Sequence, residues 1–163
     1  MHSSRPATHL DEAAGAASEI TELLEVLWNR GRNDSAAPVS ASQLRVLFIL
    51  ADHEGINLRS LSEALGSAPP SVSRLCDRLQ AVGFLERDPN PESRREVRLR
   101  LSGRGTKFLE ELRARRREEL SQVLVTMQPA ARRDLLSGLR AFRNAAASEA
   151  PPLPARTAAA HIA

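Results

Sequence analysis

Between Leu58 and Ser102 the chain reads LRSLSEALGSAPPSVSRLCDRLQAVGFLERDPNPESRREVRLRLS, two short helical patterns followed by two alternating ones. No other stretch limits the possible folds as much. Asn57 can cap a first helix whose apolar face is Leu58, Leu61 and Leu65, with Gly66 as its stop. Ser67 is placed to cap a second helix, with Pro69 and Pro70 in its first turn, where missing N–H groups cost little. That helix runs to about Val82 and ends at Gly83. At about 100° per residue, Val72, Leu75, Cys76 and Leu79 share one face. The opposite face carries Pro70, Arg74, Asp77 and Arg78, flanked by Ser71 and Ser73.

Residues 84–87 and 96–101 alternate as short strands, separated by the turn-forming residues 88–95. In the second strand Val97, Leu99 and Leu101 face inward, while Arg98 and Arg100 face outward. Two helices at a tight connection followed by a basic hairpin predict a winged helix-turn-helix.

The flanking segments are helical. Ile20, Leu23, Leu24 and Leu27 fall at i, i+3, i+4 and i+7, and Trp28 extends the stripe as a packing residue. Gly31 to Pro38 breaks this pattern. Ser40 and Gln43 have the spacing of a capping box, opening a helix to about Asp52 with Leu44, Leu47, Phe48 and Ala51 on one face. Ser102 caps a long helix bearing Phe108, Leu109, Leu112, Leu120, Val123, Leu124 and Met127. Its Arg113 to Arg117 cluster reads as a solvated face pairing with Glu110, Glu111, Glu118 and Glu119. Pro129 opens a last helix with Leu135, Leu136, Leu139 and Phe142.

The expected fold class is therefore mainly α with a small β-hairpin (α+β). Residues 40–102 form the winged lobe, and long helices lie at 11–30 and 103–147. Residues 1–10 and 148–163 are expected to be loose.

Composition narrows the function. Aromatic residues make up 3% of the chain, with no tyrosine and one tryptophan, too few for a single-strand stacking platform. The formal charge is only +3, but its distribution is uneven. Residues 1–40 hold three Arg against six acids, whereas residues 67–107 hold nine basic side chains against five acids. The positive excess thus begins at the second helix of the motif, where duplex phosphates would be met. All but one of the 23 basic residues are Arg, Lys107 being the exception. No apolar run approaches the roughly 18 residues of a membrane span, and no signal pattern opens the chain, so the expectation is a cytoplasmic protein without a membrane partner.

A lone cysteine, Cys76, excludes an internal disulfide and falls on an apolar helix face, which favours packing over redox sensing. His2, His9, His53 and His161 show no ligand spacing, so neither a metal nor a cofactor is expected. The sequence contains no phosphate loop, nucleophile motif or carboxylate–histidine constellation, which argues against an enzyme.

With those residues in view, the chain resembles the MarR family of bacterial winged-helix transcription regulators over residues 15–147. The most specific part is PPSVSRLCDRLQAVGFLERDPNPESRREVRLRLSGRG. The resemblance implies that residues 11–30 and 103–147 form a homodimer and that the wing reaches a minor groove. Family wings often carry Asp-x-Arg before the second strand; here Arg95 keeps the arginine and Ser93 stands at the acidic position. That departure leaves two readings: a looser wing tip, or Glu92 supplying the acid.

The expected partner is double-stranded DNA. A helix fits the major groove and needs polar side chains of suitable reach, which Arg74 and Arg78 supply. Ser71 and Ser73 sit near the helix start, whose amino terminus favours a phosphate. Arg94 and Arg95 are placed for a narrow minor groove, and Arg87, Arg98 and Arg100 for phosphates. A small-molecule effector is expected between the first and fifth helices and the winged lobe. The rival function, a winged helix used as a protein-interaction module, would present an apolar face where Arg74 and Arg78 stand.

Overall fold

The computed structural model describes residues 5–30, 39–53, 55–90 and 93–149, with the side chains of 5–7, 29, 30, 90, 93–95 and 149 left undescribed. The order of elements is α1 (Arg5–Arg30), α2 (Ala41–Asp52), β1 (Ile56–Asn57), α3 (Leu58–Leu65), α4 (Pro69–Ala81), β2 (Leu85–Asn90), β3 (Ser93–Leu101), α5 (Gly103–Val125) and α6 (Pro129–Glu149). These fall into two units, residues 1–38 with α1 and residues 39–163 with the rest. Helix α1 starts at Arg5, six residues before the expected Asp11. The break at residues 31–38 and the tail from residue 150 lie outside the described residues.

Local capping chemistry sets most helix starts in the second unit. Ser40 and Gln43 form the expected capping box on α2: the Ser40 hydroxyl accepts from the Gln43 N–H at 3.2 Å, and the Ser40 N–H donates to the Gln43 side chain at 2.8 Å. Asn57 Oδ1 accepts from the Ser60 N–H at 2.9 Å, and Gly66 closes α3 at φ 59°, a conformation that disfavours side chains. Ser67 does not cap α4. The cap position is Ala68, which makes no side-chain hydrogen bond. A cap at Ser67 would need an N–H two or three residues on, where Pro69 and Pro70 have none to give. The Ser67 hydroxyl instead donates to the Leu65 carbonyl at 3.2 Å.

Helices α2, α3 and α4 surround a core of Val46, Leu47, Leu50, Leu61, Leu65, Val72, Cys76 and Leu79, closed by Phe84, Leu85, Leu99 and Leu109. On α2 the buried stripe is Gln43, Val46, Leu47 and Leu50 rather than the expected Leu44, Leu47, Phe48 and Ala51. Both stripes have helical spacing and share Leu47. Packing against α3, α4, α5 and β3 selects between them. Phe48 remains half-buried, with the guanidinium groups of Arg113 and Arg116 lying 5.9 and 5.7 Å from its ring centre. Those two arginines therefore cover an aromatic face, a contact that sequence spacing along one helix does not show.

The sheet order is β1-β3-β2, all antiparallel. The two strands of the wing are longer than expected, and β2 pairs with β3 from Leu85↔Leu101 to Asn90↔Ser93 with an irregularity at Pro89/Asn90. Only residues 91 and 92 separate them, both outside the described residues. Strand β1 adds Ile56↔Leu99 and Asn57↔Arg98. Ser102 ties the wing base to α5. Its hydroxyl donates to the Gly83 carbonyl at 2.6 Å and accepts from the Gly105 N–H at 2.9 Å, while its own N–H reaches the Phe84 carbonyl at 3.0 Å. Phe84 stacks on Phe108 of α5, ring centres 4.7 Å apart.

Candidate nucleic-acid interface

Helix α4 is amphipathic because its apolar residues recur every three or four positions, so Val72, Cys76 and Leu79 are buried while Ser71, Arg74, Asp77 and Arg78 stay exposed. Pro69 and Pro70 preset the first turn. They also alter its chemistry, because neither carries an N–H. The next donor, Ser71 N–H, is spent on the Ala68 carbonyl at 2.9 Å. Residues 69–71 thus present no free amide, which narrows the expectation that this helix start favours a phosphate.

Two clefts flank α4. The first, about 370 Å³, is lined by Ser42 and Arg45 of α2, Leu65, Ser67, and Ser71, Arg74, Leu75 and Arg78 of α4. No acidic residue lines it, and Arg45, Arg74 and Arg78 have no ion-pair partner among the described residues. The second, about 350 Å³, lies on the wing side and is lined by Asn57, Leu58, Arg59, Ser73, Arg87, Glu96, Val97 and Leu99. The predicted set is thus divided: Ser71, Arg74 and Arg78 share one cleft, while the half-buried Ser73 joins Arg87 in the other.

The wing register assigns its arginines to two faces. Arg87 pairs across the sheet with buried Leu99, so it points to the α4 side, where its guanidinium donates to the Asp77 carboxylate at 2.6 Å. Arg98 and Arg100 share the opposite face with Asp88 and Glu86. Arg100 is held by both of those carboxylates, which removes it from the pool of phosphate contacts. Arg98 is half-buried, its stem passing the Cα side of Gly55. Val97 has inward parity yet is 45% exposed, because the wing extends beyond the lobe that would cover it. Arg94 and Arg95 belong to β3 by backbone, opposite the end of β2, but their side chains, with that of Ser93, are outside the described set, as is all of Glu92.

Helical phase alone puts Asp77 on the exposed face without a role, and nothing local marks Arg45. The partner of Asp77 lies ten residues away across a turn, and Arg45 joins the cleft only through the packing of α2 on α4.

A basic, cleft-flanked helix with a hairpin beside it defines a winged helix-turn-helix protein of the DNA-binding class. The family model for the MarR family matches residues 39–97. An HTH-type transcriptional regulator of Mycobacterium tuberculosis is 32% identical over 144 residues, taking in 87% of this chain and 99% of the relative. The crystal structure of RV1404 from Mycobacterium tuberculosis matches with a TM-score of 0.73 at 32% identity, over 83% of this chain and 92% of that one. FabT of Streptococcus pneumoniae, solved in complex with DNA, shares the fold at a TM-score of 0.65 and 14% identity, over 86% and 98% of the two chains. The chain belongs to the MarR family of transcriptional regulators. Among the described residues, no helix is long and apolar enough to cross a membrane, and no group of His, Cys, Asp and Glu could hold a metal ion.

Proposed function

We propose that the chain is a ligand-responsive repressor that binds a pseudo-palindromic duplex site as a homodimer. The observation that carries this reading is the exposed pair Arg74 and Arg78, one helical turn apart on α4, sharing a cleft with no acid among its described lining residues. With α4 in the major groove, Arg74 and Arg78 read base edges, arginine being suited to bidentate contact with guanine. Ser71 and Ser73 contact base or phosphate at the two flanks. Arg94 and Arg95 enter the neighbouring minor groove, and Arg98 meets phosphates, as Arg87 would once released from Asp77.

Dimerisation is supported by apolar side chains that one copy leaves in water: Ile20, Leu23 and Val26 on α1, and Leu136, Leu139 and Phe142 on α6. A second copy covering them would set two α4 helices about one or a few duplex turns apart. An effector that favours a dimer with the wrong spacing would release the site, provided it binds the two geometries with different affinity. The residues of α4 favour DNA over a protein partner, because its outer face is charged rather than apolar.

The test is a duplex selected from a randomised pool by the unaltered chain, then titrated with the Arg74→Ala/Arg78→Ala double variant at moderate salt. Specific affinity is expected to fall at least tenfold, on the order of the 1–3 kcal/mol that each bidentate base contact contributes. Unchanged affinity would remove both residues from the interface.

A further inference from the structure

The cleft between α2 and α4 contains one cation that the major-groove reading does not use. Arg45 is exposed on α2 while its neighbours Val46 and Leu47 are fully buried, so packing fixes the helix and aims this side chain outward. It shares the cleft with Arg74 and Arg78, and with the hydroxyls of Ser42, Ser67 and Ser71. Three guanidinium groups around one opening, with no carboxylate among the described residues of its lining, concentrate positive potential where an anion can enter.

The start of α4 makes the need specific. Its first two residues are prolines and the Ser71 N–H is engaged, so residues 69–71 offer an approaching phosphate no free amide. The Ser67 hydroxyl proton is likewise committed to the Leu65 carbonyl. Arginine side chains and the hydroxyls of Ser42 and Ser71 are the donors that remain in the cleft.

We propose that Arg45, with the Ser42 hydroxyl, binds a backbone phosphodiester of the duplex on the α2 wall of the cleft. The inference rests on the proposed duplex binding and adds a contact from outside the helix-turn-helix pair. Arg45 stands on a helix other than the one that enters the groove, and the walls of that groove are sugar and phosphate. Its contact positions the lobe and carries no sequence information.

The experiment uses the full chain, the duplex it selects from a randomised pool, and a scrambled duplex of the same composition. Arg45→Ala is expected to weaken both by the same factor, about tenfold. The slope of log affinity against log salt should shrink by about 0.9 for each protomer bound. Arg45→Lys should restore the slope, since an ammonium still neutralises a phosphate. Arg115→Ala, an exposed change on α5 outside the cleft, should alter neither duplex. Circular dichroism checks each variant, and Arg45→Gln replaces the alanine variant if that one does not fold. Unchanged affinity and slope overturn the proposal, as does a loss confined to the selected duplex, which would mean base contact. An unaltered chain that selects no duplex overturns the functional reading and this inference with it.

Discussion

The Arg87 guanidinium on β2 donates to the Asp77 carboxylate on α4 at 2.6 Å, joining the wing to the helix that carries Arg74 and Arg78. The pair is partly exposed, so it adds little stability and orients more than it holds. It also occupies an arginine that duplex phosphates would otherwise attract.

Asp77→Asn should therefore leave stability within about 1 kcal/mol of the original. It should also release one cation per protomer, steepening the salt dependence of duplex binding by about 0.9 for each. Salt titration of the variant checks this. An unchanged slope would mean that Arg87 does not meet phosphate.

Gly105, in the first turn of α5, lies against the backbone of Phe84. A Cβ there would sit 2.1 Å from the Phe84 carbonyl oxygen, which already accepts the Ser102 N–H. The obstruction is backbone on both sides and cannot rotate away. Gly105→Ala should cost about 2 to 3 kcal/mol or more in urea unfolding, although Gly103→Ala, two residues earlier and with open space around it, should not.

Cys76 is fully buried between Val72 and Leu79, and burial pushes its thiol up to about 11, with Arg87 pulling it down and Asp77 adding to the rise. At pH 8 only about one thiol in a thousand would be ionised. Alkylation of the native protein should be slow and become fast in denaturant. Any stability tied to this group is fully present below about pH 9 and is lost as pH rises toward 11. Loss of duplex binding on mild peroxide treatment, absent in Cys76→Ser, would contradict the packing role.

Phe142 is 69% exposed on α6, with Leu139 one turn before it. Phe142→Asp should shift the chain toward monomer at micromolar concentration in sedimentation or light scattering and weaken operator binding, while its isolated lobe stays folded. A variant that remains dimeric would move the interface elsewhere.

The features legible in the sequence were those decided within a few residues. Ser40, Asn57 and Ser102 were readable as caps because each needs only a side-chain oxygen and an N–H two or three positions on. Ser67 satisfied the same rule by residue type and failed it because the positions it would serve are prolines. The wing was readable as two strands, but their full length and the two-residue β1 depend on pairing with residues far along the chain, such as Ile56 with Leu99. The choice of buried stripe on α2 was equally non-local. Of the candidate site, Arg74 and Arg78 followed from helical phase alone. The separation of Ser73 from Ser71, the capture of Arg100 by Glu86 and Asp88, and the place of Arg45 all require the assembled lobe.

The paired prolines at the head of α4 have an evolutionary consequence. Where a helix grips phosphate through its own amide groups, the grip is the same whatever side chains stand there, and selection has little to adjust. With those amides absent at residues 69 and 70, the proposed anchorage falls to exchangeable side chains. Single codon changes around this opening could then raise or lower occupancy of a promoter without disturbing the residues that decide which promoter is read.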